Sequence, residues 1–413
     1  MVELHPSISI SRLHRHLSEL ERIGNRWPGS EGESKAQEYI YSYLRSLDID
    51  DVFLDEYEFL QYKPVKFELS LTTPVTDNIV CRPMSYTENA SVSGEIAYAG
   101  SGSPEEFRSI DEQGIEIEDR IVMATTDIPF EITPLVEDRG GIALIAVSNA
   151  PESLIRNCVG KLYPPEISNP EKHKRRIPGV MISRGSANKI LLLKNKGKVE
   201  AKITHEGEYR KSESKNVVGV QNGEGGTEES VVVGGHYDTQ LEGTGIWDNG
   251  TGTGGVLEFA RAFSNVGSER KIMFVTFGCE EVGLWGSESF VRKREKEVKD
   301  NCRGMITLDT VSTSLCPNNT IWANNQAMEL AIEKASQLKW PVHYTGDLSI
   351  SFSDYAPFNA RGIPAMWIFE YPPIHPYYHT AKDKIEFIDF VKCRSTLQVN
   401  AACVTAMAKT RLQ

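Results

Sequence analysis

The segment that most constrains the fold of this chain is Val231–Asp238, with the sequence Val-Val-Val-Gly-Gly-His-Tyr-Asp. Its β-branched run predicts a buried strand, and the run stops abruptly at two glycines followed by His236 and Asp238. Open α/β sheets build their ligand sites at the carboxyl ends of strands, where this histidine and this aspartate fall. The segment therefore predicts an α/β fold with a functional site at one edge of its sheet.

Strands and helices alternate on both sides of a segment with a different pattern. Residues 67–203 consist of short β-like runs separated by glycine, proline and acidic turns. Helical periodicity predicts helices at 11–23, 34–47, 253–263, 287–299, 327–338 and 387–409. We predict an α/β fold in which residues 1–66 and 204–413 form a doubly wound mixed sheet flanked by helices, with an inserted β-rich domain at 67–203.

Composition and charge exclude several classes of function. With 413 residues and 40% hydrophobic content the chain can bury a large core, and a net charge of −12 argues against nucleic-acid and membrane-surface partners. No apolar stretch approaches the roughly 20 residues of a membrane helix, and no export signal is visible at the amino terminus. Seven cysteines without a Cys-x-x-Cys pair suit reduced thiols, so we expect a cytoplasmic protein.

His236 and Asp238 lie on the same side of a strand, because side chains alternate with a period of two. One of them can bind a metal while the other accepts the remaining N–H of the imidazole and orients it. A strand-end hydrogen bond without any metal is the alternative that this pair alone leaves open.

A pair of adjacent carboxylates, Glu280 and Glu281, follows the apolar strand at 271–277. Like charges so close together raise each other's pKa unless a cation lies nearby. A metal would remove that conflict, with one glutamate as ligand and the other as a general base. Two solvated acids in the first turn of the next helix remain the alternative.

Three further residues stand at a strand end or in loops, and each alone is unremarkable. Asp248 lies in a glycine-rich loop before a helix, where a capping role is the alternative. No Gly-Lys-Ser/Thr follows this loop, which argues against a nucleotide phosphate site. Asp309 ends a predicted strand, and His379 follows two tyrosines.

Taken in order, these segments resemble the co-catalytic zinc aminopeptidases of peptidase family M28. The matching blocks are His236-Tyr-Asp, Trp247-Asp-Asn-Gly-Thr-Gly, Glu280-Glu-Val-Gly-Leu-Trp-Gly-Ser, Leu308-Asp and Tyr378-His-Thr-Ala-Lys-Asp. With Arg26-Trp-Pro-Gly-Ser near the start of the chain and Ser353-Asp-Tyr-Ala-Pro-Phe before Tyr378, the resemblance covers roughly the whole chain outside the insertion. The inserted segment is similar to the protease-associated domain of many members.

The resemblance implies a centre of two zinc ions. Asp248 would bridge the two metals, His236 and Asp309 would complete one site, and Glu281 and His379 would complete the other. Nitrogen and oxygen ligands without a thiolate suit zinc, and cobalt or manganese stay open.

The catalytic roles are implied in the same way. Glu280 would act as the base towards a metal-bridged water, and Asp238 would support His236. Tyr378 would donate to the oxyanion, whereas its alternative role is packing. The implied substrates are peptides with a free amino terminus, with no nucleic-acid or membrane partner. A pocket for an apolar side chain would draw on Trp247, Ile350, Phe352 and Tyr355, although such side chains can equally be core.

Other functions compete with the aminopeptidase interpretation. A carboxypeptidase or dipeptidase would use the same two-metal centre, although the carboxypeptidase branch carries a long helical domain after its final histidine and only 34 residues follow His379 here. Cyclisation of amino-terminal glutamine is disfavoured, because family members with that activity use one zinc. A non-catalytic binding protein of the same fold is the alternative from another class, and the filled ligand positions argue against it.

Overall fold

A computed structural model of the chain describes residues 6–151, 153–159, 177–264, 266–316, 318–349, 353–371 and 375–409. The chain divides into two compact units. The first unit comprises Met1–Phe59 and Glu213–Gln413, and the second comprises Leu60–Ser212. The bounds predicted for the insertion, 67 and 203, lie inside the second unit.

The chain starts with two helices and a long strand: α1 (Ile10–Ile23), α2 (Glu31–Arg45) and β1 (Asp51–Thr73). Gly24 ends α1 with a positive φ of 90°, a conformation that favours glycine. The helix α2 begins three residues earlier than predicted, because the Ser30 side chain accepts a hydrogen bond from the first turn. The strand β1 starts in the first unit and ends in the second.

The second unit is an α/β arrangement rather than a purely β-rich one. Its strands β4 to β7 pair in parallel, with β3 antiparallel to β7 and β8 antiparallel to β4. Three helices, α3 to α5, escaped the sequence analysis because they span only 9 to 11 residues and give few turns of periodicity. The elements are β2 (Asp77–Ile79), β3 (Cys81–Pro83), β4 (Ala90–Tyr98), α3 (Pro104–Glu112), β5 (Ile121–Thr125), α4 (Pro129–Glu137), β6 (Ala143–Val147), β7 (Gly179–Ile182), α5 (Arg184–Lys194) and β8 (Glu200–Gln221).

The first unit contains a mixed sheet flanked by helices, as predicted. Its strand order is β13, β12, β14, β11, β9, β10 and β8. The four strands β14, β11, β9 and β10 are parallel, and the antiparallel neighbours are β12 on one side and β8 on the other. The elements are β9 (Ser230–His236), α6 (Thr251–Phe263), β10 (Lys271–Phe277), α7 (Trp285–Lys293), α8 (Glu295–Asn301), β11 (Cys302–Thr307), β12 (Asn319–Ala323), α9 (Asn325–Gln337), β13 (Tyr344–Gly346), α10 (Ala356–Asn359), β14 (Ala365–Glu370) and α11 (Phe390–Lys409).

One predicted helix is in fact two. The segment predicted at 287–299 forms α7 and α8, which are interrupted at Arg294. The backbone of Arg294 leaves the helical region with φ −115° and ψ 24°. Apolar periodicity runs through this interruption, because it depends on spacing rather than on backbone continuity.

The central strands of the first unit separate two hydrophobic cores. Every residue of β9 is buried. Val231 and Val233 face the core formed with α1, α6, α9 and α11, whereas Val232 faces the core formed with α7 and α10. The same alternation places Phe274 in the first core and Val275 in the second. A period of two with apolar residues on both faces is the pattern of a strand covered by helices on each side.

Two further expectations concern the cysteines and membrane-spanning helices. All seven cysteines are buried free thiols, which agrees with the reduced state predicted from their spacing. Among the described residues, no helix combines the length and the hydropathy needed to cross a bilayer.

We predict that Phe274→Ala lowers the free energy of unfolding by about 3–5 kcal/mol, because the fully buried ring leaves a cavity in the core. Urea denaturation followed by circular dichroism measures the change. Val391→Ala on the exposed face of α11 is the control, with an expected change within about 0.5 kcal/mol. Equal effects of the two substitutions would contradict the core assignment.

Candidate metal centre

The carboxyl ends of three parallel strands bring the candidate residues to one sheet edge. The last residue of β10, Phe277, pairs with His236, and the last residue of β11 pairs with Gly234. Glu280 and Asp309 follow these strands by three and two residues. The three chain segments therefore leave the sheet side by side, which is where α/β sheets bind ligands.

Asp248 reaches this edge from the turn between β9 and α6. On either side of this turn, Gly235 in β9 and Gly252 in α6 lie so close to the residue after β11 that only glycine fits: a Cβ on Gly235 would lie 2.2 Å from the Leu308 carbonyl oxygen, and one on Gly252 would lie 1.9 Å from it. The Asn249 side chain donates to the same carbonyl at 2.9 Å. The glycine-rich pattern therefore serves close backbone approach around Asp248.

The Asp248 carboxylate lies between two histidines. Its Oδ1 is 3.1 Å from His236 Nε2, and its Oδ2 is 3.1 Å from His379 Nε2. The three side chains are largely buried, with Asp248 5% exposed. One carboxylate thus offers an oxygen to each of two neighbouring nitrogen donors.

A second carboxylate accompanies each histidine. Asp309 Oδ1 is 3.7 Å from His236 Nε2, and Glu281 Oε2 is 3.2 Å from His379 Nε2. The other Asp309 oxygen accepts a hydrogen bond from the Ser353 hydroxyl at 2.7 Å. The Gln240 amide donates to Glu281 Oε2 at 2.8 Å. Each carboxylate is therefore oriented by a neutral neighbour.

These residues fit a metal centre on two observations. Asp309 Oδ1 and Glu281 Oε1 are buried and have no hydrogen-bond partner among the described residues, which is costly for an ionised oxygen. Two triads of donor atoms also lie within 4.8 Å of one another: His236 with Glu280 and Asp309, and His236 with Asp248 and Glu281. Divalent cations would satisfy these oxygens, and imidazole with carboxylate suits zinc.

The electrostatics of these side chains also favour a metal centre. Burial raises the pKa of Glu280, Glu281 and Asp309, and neighbouring carboxylates add to the shift. Burial opposes protonation of His236, but the field of Glu280 and Asp309 outweighs it and raises the pKa of this histidine well above its usual value. The pKa of Asp248 is lowered instead, because hydrogen bonds from two histidines outweigh its burial. The site is thus a buried excess of negative charge that attracts cations.

Asp238 connects His236 to the glutamate pair. Its two carboxylate oxygens accept the backbone N–H groups of Glu280 and Glu281, both at 3.1 Å. The Nδ1 atom of His236 lies 3.5 Å from Asp238 Oδ1 and 3.3 Å from its backbone oxygen. One buried carboxylate therefore fixes the imidazole and the loop after β10 together.

Left-handed backbone occurs next to the candidate ligands at three non-glycine positions. Cys279, directly before Glu280, has φ 57°, Thr310, directly after Asp309, has φ 45°, and His379 itself has φ 57°. Such conformations are unfavourable, most of all for a β-branched threonine, and persist where the surroundings impose them. The three strained positions therefore lie in the loops that carry the candidate ligands.

Tyr378, the predicted oxyanion donor, is half-buried beside the metal centre. Its ring stacks on His379 with centroids 3.6 Å apart and meets the edge of Trp247 at 5.7 Å. Burial raises the pKa of Tyr378 well above 10, and the nearby carboxylates add to the shift, so the phenol keeps its proton.

Of the four predicted pocket residues, Trp247 and Tyr355 lie in the described part of the chain. Tyr355 is fully buried and packs against Trp367 in the second core. It has no surface to offer a ligand, so its predicted place in the pocket wall is corrected to a place in the core. Trp247 is 2% exposed and stacks on His375 at 5.0 Å. Ile350 and Phe352 lie outside the described residues.

Sequence reasoning assigned no role to several residues that contact the site. Gln240 and Ser353 orient carboxylates, as described above, and Arg26 and Asp383 hold the loops that carry Asp248 and His236. For Arg26 and Asp383, the signal available in the sequence was their position in the matching blocks Arg26-Trp-Pro-Gly-Ser and Tyr378-His-Thr-Ala-Lys-Asp. The roles of these four residues depend on contacts between residues 41 to 211 positions apart, which no local pattern encodes.

With this geometry established, comparison with known proteins decides the family. Residues 216–404 match the profile of peptidase family M28, and this range contains every candidate ligand. This part of the chain belongs to peptidase family M28. The M28 match makes the chain a peptide hydrolase by family, and it does not extend over the second unit.

Proteins similar to this chain carry matching names. Aminopeptidase YwaD of Bacillus subtilis is 27% identical over 404 residues, covering 94% of this chain and 81% of the relative. The probable lipoprotein aminopeptidase LpqL of Mycobacterium tuberculosis is 24% identical, covering 98% and 85%. The solved structure of BSAP, a zinc aminopeptidase from Bacillus subtilis, shares the fold with a TM-score of 0.76 at 23% identity, covering 98% of this chain and 97% of that one.

We predict that zinc added to metal-free protein raises the free energy of unfolding by about 2.7 kcal/mol for each ion bound, at a free zinc concentration of a hundred times its dissociation constant, because zinc binds the folded site alone. Thermal unfolding with and without a chelator measures the shift. Asp248→Asn should reduce it strongly, whereas Asp300→Asn, in the exposed α8, should leave it unchanged. An undiminished shift in the Asp248 variant would disprove the site.

Proposed function

We propose that this chain is a dinuclear zinc aminopeptidase that removes amino-terminal residues from peptides. The observation that carries the two-metal proposal is the placement of Asp248 between His236 and His379, at 3.1 Å from each. One ion would be held by His236, Asp309 and one oxygen of Asp248. The other would be held by His379, Glu281 and the second oxygen. The names of the relatives support the aminopeptidase activity.

Charge balance supports two ions rather than one. The proposed ligands include three buried carboxylates, and Glu280 and Asp238 add two more within the same cluster. One dication would leave most of this negative charge uncompensated in a buried site. Two dications offset it more completely, and when bound they would supply Lewis acidity for the scissile carbonyl and for an attacking water.

Glu280 is the proposed general base. Its backbone N–H is fixed by Asp238 at 3.1 Å, and its Oε2 lies 3.9 Å from His236 Nε2, so the carboxylate stands beside the predicted ligands. Burial and the neighbouring Glu281 raise the pKa of Glu280, which favours its taking a proton. In the proposed reaction Glu280 accepts a proton from water and later delivers it to the leaving amine.

Tyr378 is the proposed donor to the developing oxyanion. Its protonated phenol lies next to His379, held by stacking on that ring and by the edge of Trp247. A donor that is already oriented stabilises negative charge in the transition state without reorganisation. The contacts of Tyr378 with His379 and Trp247 also agree with the packing role that the sequence left open for it.

We predict that Glu280→Gln lowers kcat by about 10²–10⁴-fold, because the amide cannot accept a proton while the shape of the side chain is kept. The matched control is Glu242→Gln, in the loop that follows β9, with near-normal kcat. Zinc content measured alongside should stay at two ions per chain in both variants. Near-normal turnover of the Glu280 variant would refute the base, and a single zinc ion in the unmodified chain would refute the dinuclear centre.

We predict that peptides and aminoacyl-nitroanilides with a free amino terminus are cleaved, whereas the same compounds with an acetylated amino terminus are not. Release of the first residue, followed by chromatography, measures the activity. Equal cleavage of blocked compounds would refute the aminopeptidase assignment. Release of the last residue would identify a carboxypeptidase, and activity restricted to dipeptides would identify a dipeptidase.

A further inference from the structure

Arg26 is a fully buried cation in the connection between α1 and α2. Its guanidinium donates to four backbone carbonyls: Nε to Tyr237 at 2.6 Å, Nη1 to Thr244 at 2.6 Å and to Gly24 at 3.2 Å, and Nη2 to Gly245 at 3.0 Å. Tyr237 separates the predicted site residues His236 and Asp238, while the segment from Thr244 leads into Asp248. A single side chain therefore ties two ligand-bearing segments together.

Asp383 acts on the same segment from the other side. Its Oδ1 accepts the backbone N–H of Trp247 at 2.8 Å, and its Oδ2 accepts that of Asp248 at 3.1 Å. Its backbone oxygen also accepts the Thr244 hydroxyl at 2.7 Å. Asp383 is 1% exposed and follows His379 by four residues, so it links the His379 loop to the Asp248 turn.

The two residues hold complementary ends of one turn. Carbonyl oxygens at the start of the segment 244–248 face the guanidinium of Arg26, and amide hydrogens at its end face the carboxyl oxygens of Asp383. A buried guanidinium is expensive to leave without partners, so its contacts fix the turn more strongly than neutral hydrogen bonds would. Burial lowers the pKa of Arg26 only to about 10, which keeps the guanidinium charged at neutral pH.

We propose that Arg26 and Asp383 form a loop clamp, a pair of positioning residues that holds the His236, Asp248 and His379 segments in register so that the ligands converge before metal binds. Neither residue is a proposed ligand, and both act through backbone groups next to ligands. The clamp rests on the proposed metal centre. Loss of such an outer contact typically lowers metal affinity by about 10–100-fold.

The far end of the same sheet offers a matched control. Arg270 is also buried, donating to Glu229 Oε2 at 2.6 Å and to the Met407 carbonyl at 2.6 Å. It precedes β10, at the amino-terminal end of the parallel strands and away from the predicted ligands. Substitutions here disturb a comparable buried ion network without touching a ligand-bearing loop.

The test compares Asp383→Asn and Arg26→Lys with Glu229→Gln and Arg270→Lys in the full chain. Asparagine keeps the shape but has one acceptor oxygen, so one of the two backbone N–H groups loses its partner. Lysine keeps the charge but loses the planar fork that spans Tyr237 and Thr244. Thermal unfolding in a chelator reports the stability of each metal-free variant, and competition with a fluorescent zinc chelator reports zinc affinity.

The clamp predicts that both clamp variants bind zinc about 10–100-fold more weakly, while the two controls stay within about twofold of the unmodified chain even where their stability falls. At saturating zinc, kcat of the clamp variants should recover towards the unmodified value. Unchanged zinc affinity in Asp383→Asn, in a chain that binds two zinc ions, would overturn the clamp alone. An equal loss of affinity in the controls would also overturn it, and an unmodified chain that binds no zinc would overturn both the clamp and the proposed function.

Discussion

The structure depends on one constraint above others: a buried group of carboxylates gathered around Asp248 at the carboxyl edge of a parallel sheet. Asp248 places one oxygen against each of two histidines, and further carboxylates lie within reach of both. A folded protein does not keep so many negative charges out of water without cations or protons. The shifted pKa values in the metal-free chain and the unsatisfied oxygens of Asp309 and Glu281 are two signs of the same imbalance.

The fold satisfies this constraint by holding rigid the segments that carry the predicted metal ligands. The strands β9, β10 and β11 are buried on both faces by two hydrophobic cores, so their ends are fixed relative to one another. Asp238 then couples the first strand end to the glutamate loop through two backbone N–H groups. The turn that carries Asp248 lies outside the sheet, and here Arg26 and Asp383 provide further contacts.

Much of the fold could be predicted from the sequence because its patterns are local. The all-buried strand at Val231, the glycine that ends α1 and the alternation of strands with helices all follow from spacing along the chain. The short helices of the second unit could not be predicted, because they give few turns of periodicity. The interruption at Arg294 could not be predicted either, because apolar periodicity runs through it. The strands β1 and β8 exceed 20 residues, and nothing in their mixed composition distinguishes one long strand from several short ones.

For the site, the sequence by itself determined which residue types stand at strand ends and in what order, and through its motifs it indicated the family. Only the tertiary structure decided that Asp248 lies between His236 and His379, that Tyr355 belongs to the core, and that Arg26 supports a turn more than 200 residues away. The physical reason is that strand and helix signals depend on neighbours within a few residues. Metal geometry and buried ion contacts depend instead on distances between atoms far apart in the chain, which are set only when the cores pack.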